Sequence, residues 1–270
     1  MKPTVSVIMS VRNESVWLAE AILSIRRQTY RDFEFLIVDD ASTDDTSHIL
    51  QKSAAADPRI KVYYNEEPNG LARSLNRLIS LAKGQYIARM DGDDISRDDR
   101  FVRQVDFLEG NPKIGLVGSY CREIDSQGLP VAIWKRPTES KLLRRALFKG
   151  NPFIHSSVML RKRVFDEVGG YNCQCRYAQD YELWLRVAEK FEIGNLAEPL
   201  VDLRVDWEKL RCKNKLARKY QFKILSSHIR NSYLSSWHKL FLVRPLILFM
   251  IPTSLSLFLK KIQREFRKSG

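Results

Sequence analysis

The sequence predicts an α/β protein with a mostly parallel sheet flanked by helices, and three observations support this fold class. Short apolar runs alternate with amphipathic stretches through the first hundred residues, which is the pattern of repeated strand–helix–strand units. Several of these runs end in polar or acidic residues, as strands do at a ligand-binding edge. The 270 residues are 44% hydrophobic and 29% charged, which excludes a wholly disordered or collagen-like chain.

Four strands and three helices are predicted in the first hundred residues. The strands are the apolar runs Val5–Val11, Phe33–Val38, Ile60–Tyr64 and Tyr86–Met90. The helices alternate with them: one starts at Asn13–Ser15, one opens at a Ser42/Asp45 pair that resembles a capping box, and one spans Leu71–Ala82. This alternation favours parallel pairing of the strands.

Beyond Asp94 the pattern is less regular. Helices are predicted at Asp98–Leu108, Glu139–Phe148 and Tyr181–Phe191. Strands are predicted at Gly115–Ile124, Leu129–Trp134 and Ser157–Leu160. The composition changes near Trp207, where a strongly basic segment begins.

The net charge of +13 lies almost entirely in that segment. Residues 209–270 contain 15 Lys and Arg and one acid, so they carry +14, and the rest of the chain is nearly neutral. Apolar residues recur there at helical spacing among the basic ones: Leu216, Phe222, Leu225, Ile229 and Tyr233. The uncharged run Pro245–Leu259 is too short as a helix to cross a bilayer. We expect residues 208–270 to form a basic amphipathic helical tail on an anionic membrane surface, with packing on the preceding domain as the alternative.

The run Asp91-Gly-Asp-Asp94 is the most informative motif. Carboxylates at i and i+2 after a buried strand can share one hard divalent cation, Mn²⁺ or Mg²⁺, whose shell is completed by water and phosphates. A solvated acidic turn is the plainer interpretation of an isolated motif of this kind. Two other polar strand ends, Ser10–Glu14 and Asp39–Asp40, favour the metal. Neither a lysine-bearing P-loop nor G-x-G-x-x-G after the first strand is present, so Arg73 is a candidate phosphate contact.

Several segments in consistent order resemble family 2 glycosyltransferases. They are Val5–Glu14, Gln28–Asp44, Asn69–Asn76, Ala82–Asp94, Asn151–Met159, Val168–Tyr171 and Ala178–Trp184. The resemblance covers about residues 3–205 and implies the GT-A fold with inverting, metal-dependent transfer from a nucleotide-diphospho-sugar, typically a UDP-sugar. It implies a catalytic domain over residues 1–207, with a nucleotide-binding half at about 1–95 and an acceptor half at 96–207.

The resemblance also implies residue roles. The residues expected to bind the nucleotide-sugar are Ser10, Arg12, Glu14, Asp40, Arg73, Asp91 and Asp93. Among these, Asp40 would accept a hydrogen bond from the base, and Asp91 and Asp93 would hold the metal, with Asp93 the more direct ligand. Asp180 falls at the position of the catalytic base. His155 and Trp184 are candidate acceptor or diphosphate contacts, with a structural histidine and a core aromatic residue as alternatives.

The sequence lacks the Q-x-x-R-W element of processive synthases, since Gln179 is followed by Asp-Tyr-Glu-Leu-Trp184. We therefore expect transfer of one sugar to a glycan or polyprenyl-diphosphate-linked acceptor in bacterial surface polysaccharide synthesis. Four scattered cysteines and no evident signal peptide predict a cytoplasmic enzyme, peripheral on the inner face of the membrane. A sugar-phosphate nucleotidyltransferase is an alternative, although the glycine-rich loop of that class is missing after the first strand. A nucleic-acid-binding protein that uses the basic tail is another, and we expect no nucleic-acid partner.

Overall fold

The computed structural model describes residues 3–205 and 219–228, which form one mixed sheet with helices on both sides. The strands are β1 Val5–Val11, β2 Phe33–Asp39, β3 Ile60–Tyr64, β4 Tyr86–Arg89, β5 Ile95–Ser96, β6 Ile114–Ile124, β7 Pro130–Trp134, β8 Met159–Arg161 and β9 Glu192–Arg204. The longer helices are α1 Leu18–Arg26, α2 Thr46–Ala56, α3 Leu71–Leu81, α4 Arg100–Gly110, α5 Ser140–Leu147, α6 Arg163–Val168 and α7 Gln179–Lys190. A 3₁₀ turn spans His155–Ser157.

The strand order is β3-β2-β1-β4-β8-β6-β9-β5, and β7 pairs with β6. The first four strands in this order are all parallel, as the alternation of strands and helices predicts. From β8 onward parallel and antiparallel pairs mix, because β8 runs against both β4 and β6 whereas β9 runs with β6. Since β1, β2 and β4 are parallel, their carboxyl ends meet at one edge, and the candidate site lies there.

The core lies on both faces of the sheet. Side chains of β1 alternate between the faces, so Val7 and Met9 pack with α1 residues such as Ile22, and Ile8 packs on the opposite side with α3 residues such as Leu75. Strands buried on both faces appear in sequence as nearly continuous apolar runs. This burial explains why the first strands were readable from the sequence.

Two elements that border the site differ from the sequence-based predictions. The longest strand, Glu192–Arg204, was not predicted, because Gly194 and Pro199 interrupt its apolar pattern. The sheet accommodates Pro199 at a register shift against β6. Helix α1 begins at Leu18 rather than near Asn13, since Asn13 adopts a left-handed φ of 53° that ends the strand in a turn.

Part of the basic tail packs on the domain. Residues 219–228 are helical, and Ile224 and Leu225 are buried in the same core cluster as Trp184. The ring of Tyr220 lies 5.3 Å from that of Tyr177. Leu216, Ile229, Tyr233 and Pro245–Leu259 lie outside the described residues, so binding of the tail to a membrane stays a prediction. None of the helices within the described part of the chain is long and apolar enough to span a bilayer.

Candidate functional site

The loops that follow β1 and β2 are joined to each other. The left-handed turn at Asn13 directs successive backbone N–H groups toward the second loop. Asn13 N donates to Ser42 Oγ at 3.0 Å, and Glu14 N donates to Thr46 Oγ1 at 2.9 Å. Burial alone would raise the pKa of Asp44, but hydrogen bonds, led by that from Thr46, lower it to about 2. The two loops therefore form a single fixed rim at the sheet edge.

The Asp91–Asp94 loop packs directly on the end of β1. A Cβ at Gly92 would lie 2.8 Å from Val11 Cγ1 and 3.6 Å from Glu14 Cβ, so only glycine permits this approach. The predicted nucleotide residues Ser10 and Glu14 are half-buried beside it. The structure thus brings the end of β1 and the acidic loop together, as the sequence predicts.

Asp40 is buried and holds the segment between β3 and α3 in place through hydrogen bonds. Its oxygens accept hydrogen bonds from Asn65 Nδ2 at 2.7 Å, Asn69 N at 2.9 Å, Gly70 N at 2.8 Å and Ser74 Oγ at 3.2 Å. Burial alone would raise the pKa of this carboxyl, but the four hydrogen bonds outweigh the effect of burial and lower the pKa. In this structure Asp40 anchors a loop, and its contact with a base stays a prediction.

Two exposed arginines lie on the elements that border this edge. Arg12 directly follows β1, and Arg73 lies in the first turn of α3. Because α3 begins at the loop anchored by Asp40, its first turn is held at the same edge of the sheet. Both positions suit an anionic ligand, and their contact with the donor stays a prediction.

The acidic loop is anchored by its last residue. Asp94 is buried and accepts hydrogen bonds from the Ser156 hydroxyl and from Arg204 N, the latter at 2.9 Å. Arg204 also donates from Nε to the carbonyl oxygen of Asp93 at 3.0 Å and pairs with Glu20 at 2.7 Å. The end of β9, which sequence reasoning missed, therefore fixes the shape of this loop.

Asp91 pairs with a residue that sequence reasoning also missed. Arg89, the last residue of β4, is buried, and its Nη1 forms an ion pair with Asp91 Oδ1. Its Nε and Nη2 have no hydrogen-bond acceptor among the described residues. The available signal was an arginine inside a predicted buried strand, because a buried charge requires a partner.

The donor set fits a divalent cation shared with phosphates. Asp91 and Asp93 offer hard carboxylate oxygens, the ligands that Mg²⁺ and Mn²⁺ prefer. No group of three or more His, Cys, Asp or Glu suited to a metal ion occurs within residues 3–205 and 219–228. Two carboxylates therefore suffice only if water and a diphosphate complete the coordination shell.

Asp180 lies in the first turn of α7. The residue before this helix, Ala178, has a left-handed φ of 56°. Asn151 Nδ2 donates to Asp180 Oδ2 at 2.6 Å and fixes its orientation. Burial raises the pKa of Asp180, while hydrogen bonds from Tyr181 N and Asn151 and the charge of Arg89 oppose that rise. This carboxylate is half-buried, held in place and raised in basicity, which are properties of a general base.

His155 and Trp184 have different surroundings. His155 Nε2 lies 2.8 Å from Tyr171 Oη, and burial together with Arg89 lowers the pKa of the imidazole well below its usual value. His155 is therefore neutral. Trp184 is entirely buried, with its ring 6.1 Å from that of Phe153, which favours the alternative of a core aromatic residue, and its contact with an acceptor stays a prediction. Its spacing along α7 marked a core position.

A glycine turn links α3 to α7. Asn76 brackets Tyr171 by donating to its carbonyl oxygen and accepting from its N–H, both at 2.8 Å. A Cβ at Gly170 would overlap the Asn76 side-chain oxygen. From the other side, Arg186 Nη2 donates to the carbonyl oxygen of Gly170 at 2.7 Å. These contacts hold Tyr171, and with it His155, between the two halves of the domain.

Comparison with known proteins identifies the family of the chain. Residues 6–169 match the family described as Glycosyl transferase family 2. The Bacillus subtilis protein EpsE is 40% identical over 208 residues, which is 76% of this chain and 74% of EpsE. The Escherichia coli O-antigen biosynthesis glycosyltransferase WbnJ is 33% identical over 207 residues, 74% of this chain and 79% of WbnJ.

Two solved structures share the fold at low sequence identity. Staphylococcus aureus TarS 1–349, in complex with UDP-GlcNAc, matches with a TM-score of 0.71 at 19% identity and covers 90% of this chain and 71% of its own. The mannosyltransferase PcManGT from Pyrobaculum calidifontis, in complex with GDP-Man and Mn²⁺, matches with a TM-score of 0.66 at 17% identity. The match covers 97% of this chain and 81% of PcManGT. These matches confirm the GT-A type of fold. The family match spans more than half of the sequence, so the chain belongs to glycosyl transferase family 2 and is a glycosyltransferase.

Proposed function

We propose that this glycosyltransferase inverts the anomeric centre as it moves one sugar from a UDP-sugar to an acceptor hydroxyl. The acceptor is a glycan or a polyprenyl-diphosphate-linked sugar in bacterial surface polysaccharide synthesis. One observation carries the proposal. The Asp91–Asp93 loop is packed against Glu14 at the edge expected for the donor, and a separate carboxylate, Asp180, is held on a helix of the acceptor half.

The donor side handles the leaving group. A Mg²⁺ or Mn²⁺ ion, when bound, supplies Lewis-acid stabilisation of the departing diphosphate. Asp93 and Asp91 would hold that ion, with Asp93 as the more direct ligand, and Asp91 is also paired with Arg89. Arg73, exposed at the start of α3, would add positive charge near the phosphates.

The acceptor side handles the proton. Asp180 would accept the proton of the attacking hydroxyl as the new glycosidic bond forms, so a single carboxylate and direct displacement give inversion. The hydrogen bond from Asn151 leaves one orientation for the carboxylate. Burial raises its basicity, and the positive charge of Arg89 opposes its protonation. Burial thus makes Asp180 a stronger base, and Arg89 favours its ionised form.

The similar proteins support the donor and the context. WbnJ is named for O-antigen biosynthesis, TarS was solved with UDP-GlcNAc, and PcManGT was solved with GDP-Man and Mn²⁺. All three descriptions concern nucleotide-sugars or surface glycans. A peripheral position at the inner face of the membrane would suit a lipid-linked acceptor, and it remains part of the proposal.

The test is calorimetric titration of UDP with and without Mn²⁺, after a panel of UDP-, dTDP- and GDP-sugars has identified the donor. Asp93→Asn should abolish transfer and the metal-dependent part of UDP binding, while thermal unfolding stays near that of the wild type. Asp106→Asn, which changes an exposed acid on α4, is the matched control and should change neither. Equal enhancement of UDP binding by Mn²⁺ in the wild type and in Asp93→Asn would refute the metal assignment.

A further inference from the structure

Arg89 is an unusual neighbour for a candidate metal ligand. Its side chain is 1% exposed, whereas the Asp91 carboxylate above it is 34% exposed. From beneath, Arg100 Nη2 donates to the Arg89 carbonyl oxygen at 2.9 Å, which fixes the end of β4. Arg89 is therefore buried beneath the candidate site, and the residue of that site with which it forms an ion pair is Asp91.

The charge of this arginine is permanent. A guanidinium does not deprotonate in proteins, and an uncompensated charge in the interior is strongly unfavourable. The carboxylates of Asp94 and Asp180 also lie close enough to interact with Arg89, but Asp94 already accepts hydrogen bonds from Ser156 and Arg204, and Asp180 accepts one from Asn151. His155 and Tyr171 also lie close enough to sense Arg89, and neither supplies an anion. Asp91 is thus the carboxylate that compensates Arg89.

We propose that Arg89 is a positioning residue that competes with the divalent cation for Asp91 and so makes metal binding depend on the donor. The inference rests on the proposed metal-dependent function. With Arg89 beside it, the Asp91–Arg89 pair carries no net charge, and a cation approaching the loop meets a neighbouring positive charge. A bound diphosphate adds negative charge and oxygen ligands. Binding of the cation to Asp91 then becomes more favourable than the ion pair of Asp91 with Arg89 alone.

Two measurements on the full chain test this idea with Mn²⁺ and UDP as probes. In the wild type, Mn²⁺ alone should bind weakly, and UDP should strengthen its binding by about tenfold or more, the effect of one unit charge a few ångströms away at an intermediate dielectric. Free Mn²⁺ is counted by electron paramagnetic resonance, which does not depend on turnover. Mn²⁺ that binds the free enzyme as tightly as the UDP complex would overturn the proposal.

The second measurement uses variants. Arg89→Met should bind Mn²⁺ alone about tenfold or more tighter than the wild type and lose most of the coupling to UDP. Arg89→Lys, which keeps the charge, should retain weak binding and strong coupling. Arg103→Met removes an exposed arginine of α4 and controls for the lost net charge. Arg89→Met that folds, as judged by circular dichroism, and binds Mn²⁺ no tighter than the wild type would refute the role of Arg89.

The two proposals fail in different ways. If UDP and Mn²⁺ do not strengthen each other in any variant and the Asp93→Asn titration is also unchanged, the metal-dependent function itself is wrong. If Asp93→Asn abolishes the coupling but Arg89→Met leaves it intact, the metal site stands and only the competition by Arg89 is refuted.

Discussion

Replacement of Asp180 by asparagine separates catalysis from folding. The change is nearly isosteric, and the new amide oxygen can still accept the hydrogen bond that Asn151 donates to Asp180 at 2.6 Å. Loss of a positioned base lowers the rate by about 10²–10⁴-fold, which corresponds to about 3–5 kcal/mol of transition-state stabilisation. We expect kcat to fall by that factor, while donor and Mn²⁺ affinities stay within about twofold.

The same substitution should stabilise the protein at neutral pH. Burial raises the pKa of Asp180 above its value in the unfolded chain. A carboxyl with a raised folded pKa favours folding when protonated, and this contribution is lost as pH rises from the unfolded value through the folded one. At pH 7 the wild type therefore bears the cost of a buried charge that Asp180→Asn removes. The expected result is a higher midpoint of thermal unfolding at pH 7 and little difference at pH 3.

The assay is a pH series of transfer rates together with scanning calorimetry. In the wild type, kcat/KM should fall as pH drops through the raised pKa of Asp180, and the variant should lose this limb. Glu189→Gln, at a more exposed acid of the same helix, should leave the rate and the acid limb unchanged. Asp180→Asn with near-normal turnover would show that the base lies elsewhere.

Two further predictions concern packing around the site. Gly170→Ala should destabilise the fold by about 1–3 kcal/mol, because the new methyl group displaces the Asn76 side chain and breaks both of its hydrogen bonds to Tyr171. Chemical denaturation measures the change. The control is Gly110→Ala, which should be neutral or stabilising because the added methyl group meets nothing within 4 Å. Equal losses of stability at the two positions would contradict this account. Trp184→Phe should lower stability by about 1–3 kcal/mol and leave the acceptor KM within about twofold, since Trp184 is fully buried. An acceptor KM raised tenfold at unchanged stability would show that Trp184 contacts the acceptor.

The first four strands were predictable because their sequence signals are local. Each strand from β1 to β4 is a short apolar run, and each ends beside its polar residues, so the sequence alone places Glu14 and Asp91 at one edge. Gly92 adds the close contact with β1. Periodicity sufficed here because right-handed connections leave only a few arrangements for parallel strands separated by helices.

The part of the domain after Asp94 was less predictable because its contacts are long-range. Glu192–Arg204 looked irregular since Pro199 breaks the apolar pattern, yet it forms the longest strand and carries Arg204 to the acidic loop about 110 residues earlier. Trp184 has the helical spacing of a core residue and the aromatic side chain typical of a sugar-binding site. Burial, which only the fold reveals, decides between these two interpretations.

Arg89 links two of the candidate site residues. It forms an ion pair with Asp91, and its charge also opposes protonation of Asp180. Asp91 and Asp180 are 89 positions apart and share no direct hydrogen bond among those found for either residue, yet one buried guanidinium acts on both. A neutral residue at position 89 would free Asp91 and at the same time let burial raise the pKa of Asp180 further. We therefore expect the proposed metal-binding motif and the proposed base to be electrostatically coupled through Arg89, the last residue of β4.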